Sequence, residues 1–177
     1  MRSGGAVLGG GPAVVGGADT PAELGLSVAL VDSSTQVGGQ FYRTPEPVLG
    51  AVRPESLHHD WAAFAGLRTR QRATSGITHL AGHHVWTVAR QGDDLWAVHA
   101  VTGADGAGER PVCVRARTIL IATGAYERQL PFPGWTLPGV VGGGGPPTLQ
   151  QTGPLLPGRC LLVAGSGRAR QGVGATR

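Results

Sequence analysis

Ile119-Leu120-Ile121-Ala122-Thr123-Gly124-Ala125 is the stretch on which the reading of this chain turns. A short apolar run that stops at once in Ala-Thr-Gly reads as a buried strand ending in a backbone turn. Far upstream, Ala6-Val7-Leu8-Gly9-Gly10-Gly11-Pro12-Ala13 is a strand entering a glycine turn, and Val28-Ala29-Leu30-Val31 is a second strand that ends at Asp32. Asp32 stands 23 residues after Gly9. That is close to the spacing at which an acid meets ribose hydroxyls in a dinucleotide fold, while glycines let backbone N–H groups approach a pyrophosphate. Glycine turn, spaced acid and Ala-Thr-Gly in this order point to FAD.

Four further stretches carry a family resemblance: Gly38-Gly39-Gln40-Phe41-Tyr42-Arg43, then Ala122 to Arg128, then Pro131 to Val140, and last Leu161-Leu162-Val163-Ala164-Gly165-Ser166-Gly167. On these the chain resembles the N-terminal part of FAD-dependent oxidoreductases of the pyridine nucleotide-disulfide reductase superfamily. Within it, the chain is similar to the branch of hydrogen cyanide synthase and opine oxidase flavoprotein subunits and dye-linked amino acid dehydrogenases. The resemblance implies an α/β fold: a Rossmann-like FAD-binding domain whose parallel sheet carries an inserted antiparallel β-meander. It also implies truncation at the start of a second nucleotide-binding domain. Residues 1–140 are then a first FAD-binding segment, and 141–177 a linker with a fragment of an NAD(P)-type unit. FAD is the implied cofactor, and NAD(P) is not expected to bind the truncated second motif. The implied chemistry is hydride transfer from a C–N bond to FAD, with partner subunits of a heteromeric dehydrogenase.

The candidate cofactor residues follow. Gly9 and Gly11, with Pro12 and Ala13, would bring backbone to the pyrophosphate, and Asp32 would accept from the adenosine ribose. Gly38 and Gly39 would allow approach to the flavin side, with Gln40 adding a polar contact. The resemblance puts the backbone of Val85 against the adenine ring, although a plain core valine is the simpler reading. Ala122, Thr123 and Gly124 would close the strand end against the cofactor. Arg43 and Arg128 are read equally as substrate-orienting groups or as solvated arginines. No catalytic residue is identified, since the flavin carries the chemistry in such proteins.

Other features weigh against a sound first helix. Gly16, Gly17 and Pro21 fall where it should run, at about 1 kcal/mol for each glycine and about 3 for the proline. Asp19 would cap a short second piece. Val14 occupies the third glycine position of the fingerprint, where a β-branched side chain is expected to push the helix outward and weaken phosphate binding. A second helix is expected over 54–67, with Leu57, Trp61 and Phe64 on one face. Val85-Trp86-Thr87-Val88 and Leu95-Trp96-Ala97-Val98 flank a turn at 91–94, a hairpin. Val112-Cys113-Val114 reads as a third antiparallel strand, and 118–122 as the return to the parallel sheet. Gly142 to Pro147 reads as a flexible connection.

Composition bounds the partners. All 15 basic residues are arginine, the net charge is +4, and Gly and Pro together make up about a quarter of the 177 residues. The cluster Arg68-Thr69-Arg70-Gln71-Arg72 lacks interleaved aromatics and reads as a solvated basic turn, so no nucleic acid is expected. No secretory leader, no membrane span and a cytoplasmic location are expected. Cys113 and Cys160 lie far apart and read as buried structural thiols, not a redox pair. His79 and His83 would face one another on a helix, but Gly82 and the strand beyond it oppose a helix there, and no metal site is expected. Three readings stay open: a flavoenzyme fragment, a truncated non-catalytic product, and a small flavin-binding protein working with a separately encoded remainder.

Overall fold

The computed structural model describes residues 1–15, 17, 22, 24–44, 50, 52–58, 60–103, 108–143, 160 and 162–165. Gly16, Asp19, Pro21 and most of the Gly142 to Pro147 run lie outside the described residues, as do Leu161, Ser166 and Gly167 of the second glycine motif. The chain divides into two compact units: Met1–Tyr42 with Asp60–Gly124, and Arg43–His59 with Ala125–Arg177.

The first unit is built on one six-stranded sheet, formed by β1 (Arg2–Leu8), β2 (Val28–Val31), β3 (Ile77–Leu80), β4 (His83–Gln91), β5 (Leu95–Thr102) and β6 (Arg110–Ile121). Their order is β3-β2-β1-β6-β5-β4. β1, β2, β3 and the second half of β6 run parallel, while β4, β5 and the first half of β6 form an antiparallel meander. This is the Rossmann-like α/β architecture with an inserted meander.

Strand alternation sorts the core into two faces. Val7, Val28 and Leu30 face one side and pack with Val14, Val15, Ala22, Val37 and Phe64. Ala6, Leu8, Ala29 and Val31 face the other and pack on Val98, Val114 and Ala116 of the meander. Both faces of β2 are covered, which is why that strand is apolar throughout. Fully burying side chains such as Phe64 and Leu30 stabilises the fold by roughly 1.5–3 kcal/mol each.

Several elements differ from the sequence expectations. The strands read at 112–114 and 118–122 are one strand, because β6 changes partner without stopping. Ala116 pairs with Trp96 on one side and Ser3 on the other. β3 had no sequence signal. The expected helix over 54–67 is instead a 3-10 turn at Pro54–Leu57 and an α-helix, α2, at Trp61–Ala73. Asp60, at φ 52°, sits between them in the left-handed region, which aspartate tolerates better than most residues.

The arginine cluster is therefore the end of α2, where cations suit the helix dipole, and not a turn. The Arg68 guanidinium lies 5.6 Å from the Trp61 ring centroid. Among the described residues, the helix α1 that follows the first glycine turn is Pro12–Val15. Val14 is accommodated there by burial, 1% exposed, with its N–H donating to the Gly11 carbonyl at 3.0 Å. Cys113 is partly buried on β6, whereas Cys160 is exposed, so the reading of two buried thiols holds for neither in full.

In the second unit, Pro54–Leu57 is closed by Ser56, whose hydroxyl donates to the Arg53 carbonyl at 2.8 Å. Successive reverse turns run from Phe132 to Val140, with Trp135, Leu137 and Val140 N–H groups donating to the carbonyls three residues earlier.

Candidate functional site

The parallel strands β1, β2 and β6 bring their carboxyl ends to one edge, and the sequence signals lie there. At the end of a strand the backbone groups lose their ladder partners, so the loops must supply them. The Gly9 N–H donates to the Val31 carbonyl at 2.8 Å, and the Ala122 N–H donates to the Leu8 carbonyl at 2.9 Å. The Gly38 N–H donates to the Gly10 carbonyl at 2.7 Å. Three loops that are distant in sequence are thereby stitched together at this edge, next to Asp32 at the end of β2.

Close approach explains the glycines. Gly9 adopts φ +100°, and a Cβ there would stand 2.5 Å from the Ala122 carbonyl oxygen and 3.1 Å from the Thr123 Cα. A Cβ on Gly10 would overlap the Asp32 carboxylate. Gly39 packs so that a Cβ would meet the Gly11 Cα at 3.0 Å, which presses the second glycine turn against the first. Gly11 itself faces open space, with nothing within 4 Å of its Cβ direction. That open backbone, with partly buried Pro12 and exposed Ala13 beside it, is what a pyrophosphate cradle requires.

Asp32 is 7% exposed, and its Oδ1 accepts from the Ser34 N–H at 2.9 Å. The Asp32 carbonyl accepts from the His83 N–H at 2.8 Å, so the start of β4 is fastened to the acid-bearing loop. His79, on β3, has a buried Nε2 without a hydrogen-bond partner. Burial lowers its pKa below the ordinary 6.5; Asp32 raises it, and Arg72 and His83 lower it further. His79 and His83 belong to successive strands and not to a helix. Among the described residues no three His, Cys, Asp or Glu side chains gather as a metal site.

The edge thus unites Gly9, Gly11, Asp32, Gly38, Gly39, Ala122 and Thr123. Gly124 follows at φ +77° with open space around it, so it is conformation and not crowding that requires glycine there. Gln40 is exposed on the loop after the second glycine pair. Val85 is 37% exposed on β4, two residues past His83, at a register irregularity between Val85 and Thr87. It is therefore not a buried core valine. β4 stands at the outer end of the strand order, and its start is tied to the edge by the His83 bond to Asp32 and by the Gly82 N–H, which donates to the Ser34 carbonyl at 3.2 Å. Sequence reasoning missed Gly10 and Ser34. The glycine triplet opposite an acid was the available signal for Gly10, and nothing marked Ser34.

The donor set fits an adenine dinucleotide. It offers an open glycine backbone, a nearly buried carboxylate at the adjacent strand end and a third loop closing the edge.

A family model described as pyridine nucleotide-disulphide oxidoreductase matches residues 5–158. The chain is 38% identical over 161 residues to an opine oxidase subunit of Rhizobium meliloti (strain 1021), covering 91% of this chain and 33% of that protein. It is 33% identical over 168 residues to hydrogen cyanide synthase subunit HcnB of Pseudomonas aeruginosa, with the same 91% and 33% coverage. L-Proline dehydrogenase from P. horikoshii superposes with a TM-score of 0.68 at 21% identity, over 90% of this chain and 30% of that one, a likeness of fold. The chain spans about a third of the length of these relatives. Among the described residues, no helix is long and apolar enough to cross a membrane.

Proposed function

Because the chain belongs to the pyridine nucleotide-disulphide oxidoreductase family of flavin-dependent enzymes, we propose that it binds FAD along the carboxyl edge of β1, β2 and β6. The observation that carries this reading is the stitching of the Gly9, Gly38 and Ala122 loops at one edge of the sheet, with the Asp32 carboxylate packed against Gly10. The open backbone at Gly11 to Ala13 receives the pyrophosphate. Asp32, held by Ser34, accepts from the adenosine ribose. Gly39 and Gln40 line the path toward the flavin, and Thr123 and Gly124 close the edge. The Val85 backbone, carried by a strand fastened at His83, borders the adenine.

When bound, FAD supplies two-electron acceptor chemistry, here for a hydride from a C–N bond of an amino acid derivative such as an opine. The substrate class rests on the similarity to the opine oxidase subunit, and it extends to a whole protein of which this chain matches about a third. This chain's own residues bind and orient the cofactor. Residues 1–140 are proposed as the first FAD-binding segment, and 141–177 as a linker and part of a second, NAD(P)-type dinucleotide-binding unit. Partner subunits are part of the proposal because two similar proteins are named as subunits. A cytoplasmic location is proposed with them.

The test is competition. The purified chain is titrated with FAD while flavin fluorescence is followed, with ADP and FMN as competitors. ADP is expected to compete because it carries the adenosine diphosphate that Asp32 and the glycine turn address, and FMN is not. Competition by FMN alone would overturn the assignment.

A further inference from the structure

The end of the sheet opposite the cofactor edge carries a charged surface that flavin binding does not use. Arg2 begins β1 and Leu8 ends it, so the two edges are roughly 20 Å apart at about 3.3 Å per residue. A groove of ≈ 1040 Å³ opens there, lined by Arg2, Arg90, Arg115 and Arg117 together with Leu26 and Trp96. Val114 and Ala116 take the buried face of β6, which leaves Arg115 and Arg117 side by side on the other. Arg2 is the strand partner of Arg115 across the β1–β6 pair. Like charges on neighbouring strands repel and destabilise a sheet.

The surrounding groups leave that repulsion in place. Arg115 Nε donates only to the neutral Gln91 Oε1, at 3.1 Å, and Arg90 donates to the Asp93 backbone carbonyl at 2.8 Å while lying over the Trp96 ring. The Arg2 and Arg117 guanidinium groups have no hydrogen-bond or ion-pair partner among the described residues. Asp93 and Asp94 stand at the hairpin tip that forms one wall.

We propose that this groove docks an acidic polypeptide segment of another protein, with carboxylates set against Arg2, Arg115 and Arg117 and apolar side chains against Leu26 and Trp96. Planar guanidinium forks match carboxylates two bonds at a time. Asp93 and Asp94 select a peptide over a nucleic acid. A continuous phosphate backbone would be repelled at that wall, whereas a peptide can present a neutral or basic residue there. This surface is independent of the FAD assignment.

The experiment uses the full chain and a fluorescein-labelled oligoglutamate peptide, read by anisotropy at low salt. Arg115→Glu with Arg117→Glu is expected to weaken binding by at least about tenfold, from the loss of charge-assisted hydrogen bonds. Arg115→Gln with Arg117→Gln, which guards against misfolding by charge reversal, is expected to weaken it in the same direction. Arg68→Glu with Arg72→Glu, on α2 and not among the residues lining the groove, has the same net charge change and is expected to leave binding within about twofold, because these side chains make no charge-assisted hydrogen bond in the groove. FAD binding is expected to be unchanged in the Arg115/Arg117 variants. Equal losses in the matched-charge control, no peptide binding at all, tighter binding of a single-stranded oligonucleotide lost in the same variants, or full displacement by millimolar inorganic phosphate would each overturn the proposal.

Discussion

The Gly38 N–H donates to the Gly10 carbonyl at 2.7 Å, which locks the loop after β2 onto the loop after β1. One hydrogen bond thereby couples the turn proposed to meet the pyrophosphate to the turn proposed to lead toward the flavin. Disturbing either loop should be felt at both.

Gly9→Ala and Gly124→Ala are expected to differ although both positions have positive φ. At Gly124 the methyl finds open space, so only the left-handed strain of about 1–2 kcal/mol applies. At Gly9 the same strain is joined by a backbone collision with the Ala122 carbonyl, 2.5 Å from the new Cβ. Thermal melts should therefore show the larger loss of Tm for Gly9→Ala, with loss of bound flavin. Equal losses would contradict the crowding argument.

Asp32→Asn keeps an oxygen for the Ser34 N–H and removes the charge. A hydrogen bond to a charged group contributes about 1.5–3 kcal/mol, so FAD affinity should fall by roughly ten- to a hundredfold while the melt changes little. Isothermal titration with FAD measures the first and calorimetric unfolding the second. An unchanged Kd would remove Asp32 from the site.

His79 should make stability fall in acid. Burial, the largest cause, lowers its folded pKa below 6.5, so the unfolded chain takes up the proton at the higher pH. The contribution is fully present above 6.5 and is lost as pH falls from there toward the folded value. Tm measured from about pH 7.5 to about pH 5.5 should decline, and His79→Gln should flatten that decline. A slope that survives the substitution would assign it to other groups.

Val14→Gly restores the glycine that the fingerprint expects, yet it should destabilise the chain. Val14 is 1% exposed among Val7, Leu30 and Phe64, so the substitution removes buried methyls and adds helix entropy, a loss of roughly 2–4 kcal/mol. A raised Tm would show that the valine is strained where it sits.

The legible part of this fold was the part written in single positions. Glycine and acid at strand ends need no partner to be recognised, and Gly9, Asp32 and Thr123 meet at one edge as their order implied. Packing was less legible. Val14 breaks a motif rule but fills a core that only Phe64, far along the chain, reveals. β3 is four residues with a histidine inside, too short to show a period, and it forms because β2 offers it a partner. β6 reads as two strands because Arg115 and Arg117 interrupt its apolar pattern, while its continuity comes from exchanging β5 for β1. Asp32 was legible as an acid, but its anchoring by Ser34 and His83 came from loop geometry that no spacing encodes.

The central claim is tested most directly by denaturing the purified chain and identifying the flavin it releases by chromatography and mass. FAD is expected, retained by the native chain and lost from Asp32→Leu and Gly9→Ala. FMN as the released flavin, or FAD retained undiminished by both variants, would contradict the claim.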